Sequence, residues 1–267
     1  MSRTPILVYH SVCADPPDWI APYSVSPKAF SAHLDAVAAS GRQPLTVSQY
    51  ADGLRGAATL PPAVVLITVD DGFADFADHA LPALADRKMP STLYVTTGAL
   101  ADKRQESVLP AARMLRSTDL PGVETADVEI GSHSHTHRQM DILSDRDVEH
   151  ELSLSGRMLA ETLGHSIRSF AYPHGYWRRR VLALIRKAGY DSACAVGNVL
   201  SRAQDEVLTL PRLMVRDHTD ADAVAAWLAE SGPPVTARSY RAPAFAWRQY
   251  RRAAAMRTAA GGPEACA

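Results

Sequence analysis

Ala63-Val64-Val65-Leu66-Ile67-Thr68-Val69 runs into Asp70-Asp71-Gly72, and this junction decides the fold. The apolar run is the most β-branched in the chain and is set off by Pro61-Pro62, as expected for a strand buried on both faces of a parallel sheet. It stops abruptly on two carboxylates and a glycine. Polar residues gathered at the carboxyl end of a buried strand are the usual setting of an α/β ligand site.

Working outward, the same unit recurs. Ile6-Leu7-Val8-Tyr9 is a short apolar strand ending in His10-Ser11, and Ser26-Pro27 opens a helix through Phe30, Leu34 and Val37 to a stop at Gly41. After the Asp pair, Phe76, Ala80, Leu81 and Leu84 share a helical face. Further strands are expected at 91–95, 128–130, 169–172, 191–196 and 210–215. Ser144 with Asp147 opens a long helix whose Leu152, Leu159 and Leu163 share a face until Gly164. Val181 to Ile185 form a helix ending at Gly189, and Thr219 is expected to cap a last helix over 220–230. Strands alternating with helices imply parallel strands joined by crossovers, in a sheet either open or closed into a barrel.

The 267 residues, 46% hydrophobic and 21% charged, suit one α/β domain and exclude a disordered chain or a fibre. Residues 1–232 are read as the domain and 233–267 as a basic, partly ordered tail. The tail carries six arginines against the single acid Glu264, which leaves an acidic body in a chain of net charge −1. An acidic body argues against a nucleic-acid partner, because phosphate binding needs a basic face. Residues 244–258, with Phe245, Trp247 and Tyr250 among arginines, have the composition of a basic helix able to lie on an anionic membrane surface. No apolar run is long enough for a membrane helix or a secretion signal, so a cytoplasmic location is expected, with contact at the inner membrane face open to the tail. Cys13, Cys194 and Cys266 are scattered and odd in number, which suits reduced thiols.

Two adjacent carboxylates at a strand end repel, so a cation should share their site. By itself Asp-Asp-Gly is also ordinary turn chemistry. The second cluster, Gly131-Ser132-His133-Ser134-His135-Thr136-His137, puts three histidines just beyond another strand. If helical, it sets His133 and His137 on one face with His135 opposite; if extended, all three align. Two histidines and one carboxylate leave positions open on a divalent ion, as in catalytic rather than structural sites. Such an ion lowers the pKa of bound water toward about 7, and a neighbouring carboxylate can take the proton.

Taken in order, Tyr9-His10-Ser11-Val12, Thr68-Val69-Asp70-Asp71-Gly72, His133 with His137, and Phe170-Ala171-Tyr172-Pro173-His174-Gly175 resemble the motifs of the polysaccharide deacetylases of the NodB-homology, carbohydrate esterase family 4 type. The resemblance spans residues 5–230 and is nearest the exopolysaccharide poly-N-acetylglucosamine deacetylase branch. It implies a single distorted (β/α) barrel of parallel strands, fewer than eight, and hydrolysis of an N-acetyl group from an acetylated amino sugar. By the same resemblance Asp71, His133 and His137 are the metal ligands, zinc being the usual divalent ion, and Asp70 is the general base. The backbone N–H of His174 is the expected oxyanion donor. Tyr172, Pro173 and Trp177 fall in the substrate-binding stretch, and Trp177, Tyr172 and Phe73 are candidates to stack on a sugar ring.

Two positions depart from the pattern. Ala171 stands where an arginine usually orients the base, and Arg212, in Leu210-Pro211-Arg212, is the candidate replacement. The general acid is either His218, beyond Leu213-Met214-Val215, or His10 at the end of the first strand. Arg178-Arg179-Arg180 open a helix at its positive end, which leaves a solvated face or an anionic partner as readings. The competing functions are hydrolysis of a small non-sugar amide on the same scaffold and a catalytically inactive glycan-binding relative. A non-haem iron oxygenase also uses two histidines and a carboxylate, but the second aspartate and the β/α alternation count against it.

Overall fold

The computed structural model describes residues 3–232. In chain order these form β1 (Ile6–Tyr9), β2 (Ser11–Val12), β3 (Ser24–Val25), α1 (Pro27–Ala39), β4 (Gln43–Leu45), α2 (Val47–Leu54), β5 (Val64–Val69), α3 (Leu81–Asp86) and β6 (Ser91–Val95). There follow α4 (Leu120–Glu124), β7 (Val128–Ser132), α5 (Asp145–Leu163), β8 (Ser169–Ala171), α6 (Arg179–Lys187), β9 (Ser192–Val196), β10 (Leu210–Met214) and α7 (Ala221–Leu228). The tail, with its basic segment and Cys266, lies outside the described residues. Cys13 and Cys194 are free thiols. No helix among the described residues is long and apolar enough to cross a membrane.

The sheet closes on itself. Strands β5 to β10 lie side by side in chain order, all parallel, and β1 completes the ring by pairing with both β10 and β5. Seven strands therefore form the barrel, one fewer than the regular eight. Strand β4 joins the first half of β5, from Gln43 opposite Val64 to Leu45 opposite Leu66.

Every residue of β5 is buried, which explains its unbroken apolar run, and alternate side chains serve two cores. Val65, Ile67 and Val69 face outward, in one cluster with Phe30, Leu34 and Val37 of α1 and with Val148, Leu152 and Leu159 of α5. Val64 and Leu66 face inward, with Ile6, Ala171, Cys194 and Leu210. Val47 and Tyr50 of α2 complete that inner cluster. The first turn of α2 is fixed there, Val47 N–H donating to Thr92 Oγ1 at 3.0 Å and Ser48 N–H to Glu129 Oε2 at 3.1 Å. Helix α2 thus stoppers the amino end of the barrel. The carboxyl ends of the strands are left to form the site.

Several boundaries depart from the expected ones. Helix α1 stops at Ala39 with Ser40 as its cap, a little before Gly41. The segment after the Asp pair opens with a π-helical turn, Phe76–Ala80, before α3. Asp220, not Thr219, caps α7, its side chain accepting the Ala223 N–H at 2.8 Å. Thr219 instead accepts the Arg216 N–H at 3.0 Å, closing the turn before the helix. Elsewhere the caps fall as read: Ser26 accepts from Ala29 N–H, and Ser144 from Asp147 N–H.

Gly131 sits where β7 passes the buried ring of Tyr94. A Cβ added there would lie 2.5 Å from two Tyr94 ring carbons and 3.1 Å from the Ser169 carbonyl oxygen. Tyr94 cannot easily yield, because its hydroxyl is bonded to Ser169 Oγ at 2.6 Å. Gly131→Ala is therefore expected to cost about 1–3 kcal/mol, the usual scale of overpacking, seen as a lower urea midpoint at constant m-value. An unchanged midpoint would show that the Tyr94 ring has room to move.

Candidate metal centre and active-site cleft

Asp70 prolongs β5 and its carboxylate is gripped from within the barrel. Arg212, on β10, donates from Nη1 to Oδ1 at 2.6 Å and from Nη2 to Oδ2 at 2.7 Å. The guanidinium has no exposure to solvent. It also donates to Thr68 Oγ1 at 3.1 Å and to the Ala195 carbonyl at 3.3 Å, and lies over the Tyr94 ring at 5.6 Å. Burial alone would raise the Asp70 carboxyl, but the adjacent guanidinium outweighs it and holds the group below its ordinary value. Arg212 thus occupies, from another strand, the orienting place that Ala171 leaves open.

Asp71 takes a different path. A simple strand would point adjacent residues to opposite sides, but the chain leaves the strand here: Asp71 has φ 75°, followed by Gly72 at φ 88°. Aspartate tolerates this left-handed conformation better than most residues. Both carboxylates consequently line one cleft. Asp71 Oδ1 lies 3.2 Å from His137 Nε2 and 3.5 Å from His133 Nε2.

His133 defines what belongs between them. Its Nδ1 lies 2.9 Å from the Ala171 carbonyl oxygen, which can only accept, so Nδ1 carries the proton and Nε2 a lone pair. Burial lowers the imidazole to about 4, so the ring is neutral near pH 7. Its lone pair faces Asp71 Oδ1 at 3.5 Å and Asp70 Oδ2 at 3.7 Å. Asp71 Oδ1 is itself buried and accepts no hydrogen bond. Lone pairs converging in a dry site repel unless a cation lies among them. The donor atoms of Asp71, His133 and His137 all fall within 4.8 Å of one another. Ligands about 2.0–2.1 Å from a tetrahedral ion lie roughly 3.3–3.5 Å apart, so the two Asp71 contacts suit a shared divalent ion. The donor set fits the metal.

The histidine segment is neither helix nor strand. Ser134 and His137 both have left-handed backbone, φ 65° and 64°, and turn His135 away from its neighbours. His135 bridges Thr97 Oγ1 at 2.8 Å and the Glu106 carboxylate at 3.0 Å, tying down the loop whose Val108, Leu109 and Pro110 form one lip of the cleft. Glu151 of α5 holds the bend. It accepts N–H bonds from His135 at 2.9 Å and Thr136 at 2.8 Å, and the Thr136 hydroxyl as well. Glu151 was not foreseen, although an acid in register with Val148, Leu152, Ser155 and Leu159 on a buried helix face was the available signal.

The remaining candidates separate. His10 lines the cleft, its ring 5.5 Å from that of Tyr23 and its Nδ1 buried without a hydrogen bond; burial holds it below its ordinary pKa. His218 does not reach the cleft: its side chain is 77% exposed and pairs with Asp217 at 2.7 Å. The chain abandons the strand after Met214 and turns at Arg216 to Thr219, which carries His218 outward. Tyr172 is a core residue rather than a substrate contact, fully buried with its hydroxyl donating to the Leu208 carbonyl at 3.0 Å. Pro173 is buried beneath the turn, and Phe73 packs on Trp19 in a separate small core instead of lining the cleft. His174 and Trp177 do line it, His174 with φ 59° and its ring 4.8 Å from that of His137. Arg180 pairs with Asp145 and the Leu143 carbonyl, and Arg178 with the Asp141 carbonyl, so these two arginines bind the loop before α5.

The cleft above these residues measures about 1280 Å³, and aromatic and aliphatic side chains dominate its walls. That exceeds the roughly 300–1,000 Å³ of a typical small-molecule pocket.

Comparison with known proteins agrees with this architecture. The chain is 21% identical over 214 residues to the poly-beta-1,6-N-acetyl-D-glucosamine N-deacetylase of Staphylococcus aureus, covering 77% of this chain and 72% of that one. Among solved structures, the Streptococcus pyogenes deacetylase PplD in complex with acetate superposes with a TM-score of 0.73 at 21% identity, over 84% of this chain and 96% of that one. IcaB from Ammonifex degensii superposes with a TM-score of 0.72 at 23% identity, over 85% and 97%. The family described as polysaccharide deacetylase matches residues 57–193, a stretch that includes Asp70, Asp71, His133 and His137, and the chain belongs to that family.

Proposed function

We propose that this chain is a divalent-metal-dependent hydrolase that removes the N-acetyl group from an acetylated amino sugar in a glycan or glycoconjugate. One observation carries the reading: two buried carboxylates share the cleft, Asp71 facing two imidazoles and Asp70 held by Arg212. Family membership supports the reaction class, and the S. aureus relative, named for a poly-N-acetylglucosamine, supports an amino-sugar glycan as substrate.

Asp71, His133 and His137 are the ligands, and zinc is the ion we assign to a two-histidine, one-carboxylate set. Bound there, the ion supplies Lewis acidity, polarising the acetamide carbonyl and acidifying water. The protein's own groups do the rest. Asp70, kept ionised and fixed by two hydrogen bonds, accepts the proton of the attacking water. The backbone N–H of His174, in a tight left-handed turn, is assigned to the developing oxyanion. His10, a half-buried imidazole on the same cleft wall, relays to the departing amine the proton that Asp70 has taken from the water. Trp177 offers an aromatic face to the sugar.

Metal analysis paired with acetate release tests this. Asp70→Asn is expected to retain metal while turnover falls by about a hundredfold or more, the usual scale for losing a general base. Asp71→Ala is expected to lose the metal itself. Stoichiometric metal in Asp71→Ala would overturn the ligand assignment, and full turnover in Asp70→Asn the assignment of the base. Arg212 sets the pH response. With the guanidinium gone, burial acts on Asp70 without its chief counterweight and the carboxyl rises, so in Arg212→Gln the acid limb of kcat/KM moves to higher pH. An unmoved limb would mean that another group governs it.

A further inference from the structure

We propose that Arg216 forms an anion subsite in the cleft, so that the substrate presents a carboxylate or phosphate beside its acetylated sugar. This deepens the proposed function and rests on it for the reaction, though not for binding. Among the described residues Arg216 is the one lysine or arginine lining the cleft. Among the described residues the acids there are Asp70 and Asp71, already committed to Arg212 and the imidazoles. Away from these groups Arg216 supplies the one full charge that the described residues bring to the cleft.

That charge is held ready. The Arg216 N–H is anchored to Thr219 Oγ1 at 3.0 Å, and the half-buried guanidinium lies over the Tyr23 ring at 4.7 Å. Among the described residues no carboxylate comes within ion-pairing distance of it. Its neighbour Asp217 is turned to His218 at 2.7 Å. The Tyr23 ring is in turn 5.5 Å from that of His10, so two ring contacts separate the cation from the proposed general acid. A planar guanidinium supported on an aromatic face and partly withdrawn from water is suited to bidentate recognition of a carboxylate or phosphate. The same charge repels ammonium groups. A glycan already deacetylated around the target would therefore sit poorly here, whereas an acidic one would be drawn in.

The test uses the full-length zinc-loaded protein in two arms. In the binding arm, calorimetry compares glucose 1-phosphate, glucuronic acid and methyl glucoside, none of which carries an acetamide. In the kinetic arm, acetate release is followed from N-acetylglucosamine 1-phosphate, N-acetylmuramic acid and the methyl glycoside of N-acetylglucosamine. Wild type is expected to favour at least one anionic sugar over the neutral one by roughly tenfold or more, the scale of a charge-assisted hydrogen bond. Arg216→Gln should collapse that ratio toward one, and Arg216→Lys should keep part of it. Ratios are insensitive to the folded fraction, and any direct contact of the anion with zinc is common to all variants. Whether phosphate or carboxylate gains more identifies the source of the anion. No anionic preference in wild type, or a preference that Arg216→Gln leaves intact, overturns the proposal. Arg216-dependent anion binding without acetate release from any sugar would sink the hydrolase reading and uphold the subsite.

Discussion

A guanidinium and a carboxylate shut away from water and joined by two parallel hydrogen bonds hold the catalytic end of this barrel in order. Withdrawing both ions from solvent is expensive, and the pair adds little net stability over a well-packed apolar substitute. Its value is directional. Arg212 is held in turn by Thr68, the Ala195 carbonyl and the Tyr94 ring, and the bare backbone of Gly131 makes room for that ring. The chain of contacts runs from a missing side chain on β7 to the carboxylate assigned to proton transfer.

The two aspartates are adjacent in sequence yet answer to different partners. Asp70 stays on the strand and meets Arg212 from inside the barrel, while Asp71 turns into left-handed backbone and meets two imidazoles at the rim. Like charges so close would otherwise drive one of them to take up a proton. Separate surroundings keep both carboxyls below their ordinary values, as the proposed division between metal binding and proton transfer requires. His135, the third imidazole of its cluster, belongs to neither task. It secures the loop that gives the cleft its apolar lip.

Much of this was legible in the chain itself. The alternation of β5 between two cores, the serine caps of α1 and α5, and the Asp-Asp and His-Ser-His-Thr-His clusters at strand ends all follow from local pattern. Arg212, expected as the partner of Asp70 because Ala171 stands where the resemblance puts an arginine, sits in an ordinary-looking strand, Leu-Pro-Arg-Leu-Met, and closure of the ring brings it under a residue 142 positions earlier. Other placements escaped. His218 was expected at the rim because, beyond Leu213-Met214-Val215, it lies close to the register of a motif histidine at the end of a late strand. That register fails once the chain turns at Arg216. Tyr172 was drawn into the substrate list by its place in a motif, whereas inward and outward alternation sends its ring to the core. Strand β4 was missed because Gln43-Pro44-Leu45 is too short and too polar to register, and proline there suits a strand that pairs only briefly.

Closure of the ring also dictates when competence can arise. The proposed metal ligands and Asp70 all come from the first half of the chain or just beyond it, but the strand that clamps Asp70 is the last in the barrel, and β1 pairs with it to seal the cylinder. On the ribosome, a nascent chain shorter than β10 therefore holds its acidic doublet ungripped, whatever secondary structure has already formed. The clamp on Asp70 is thus among the last contacts of the barrel to become available.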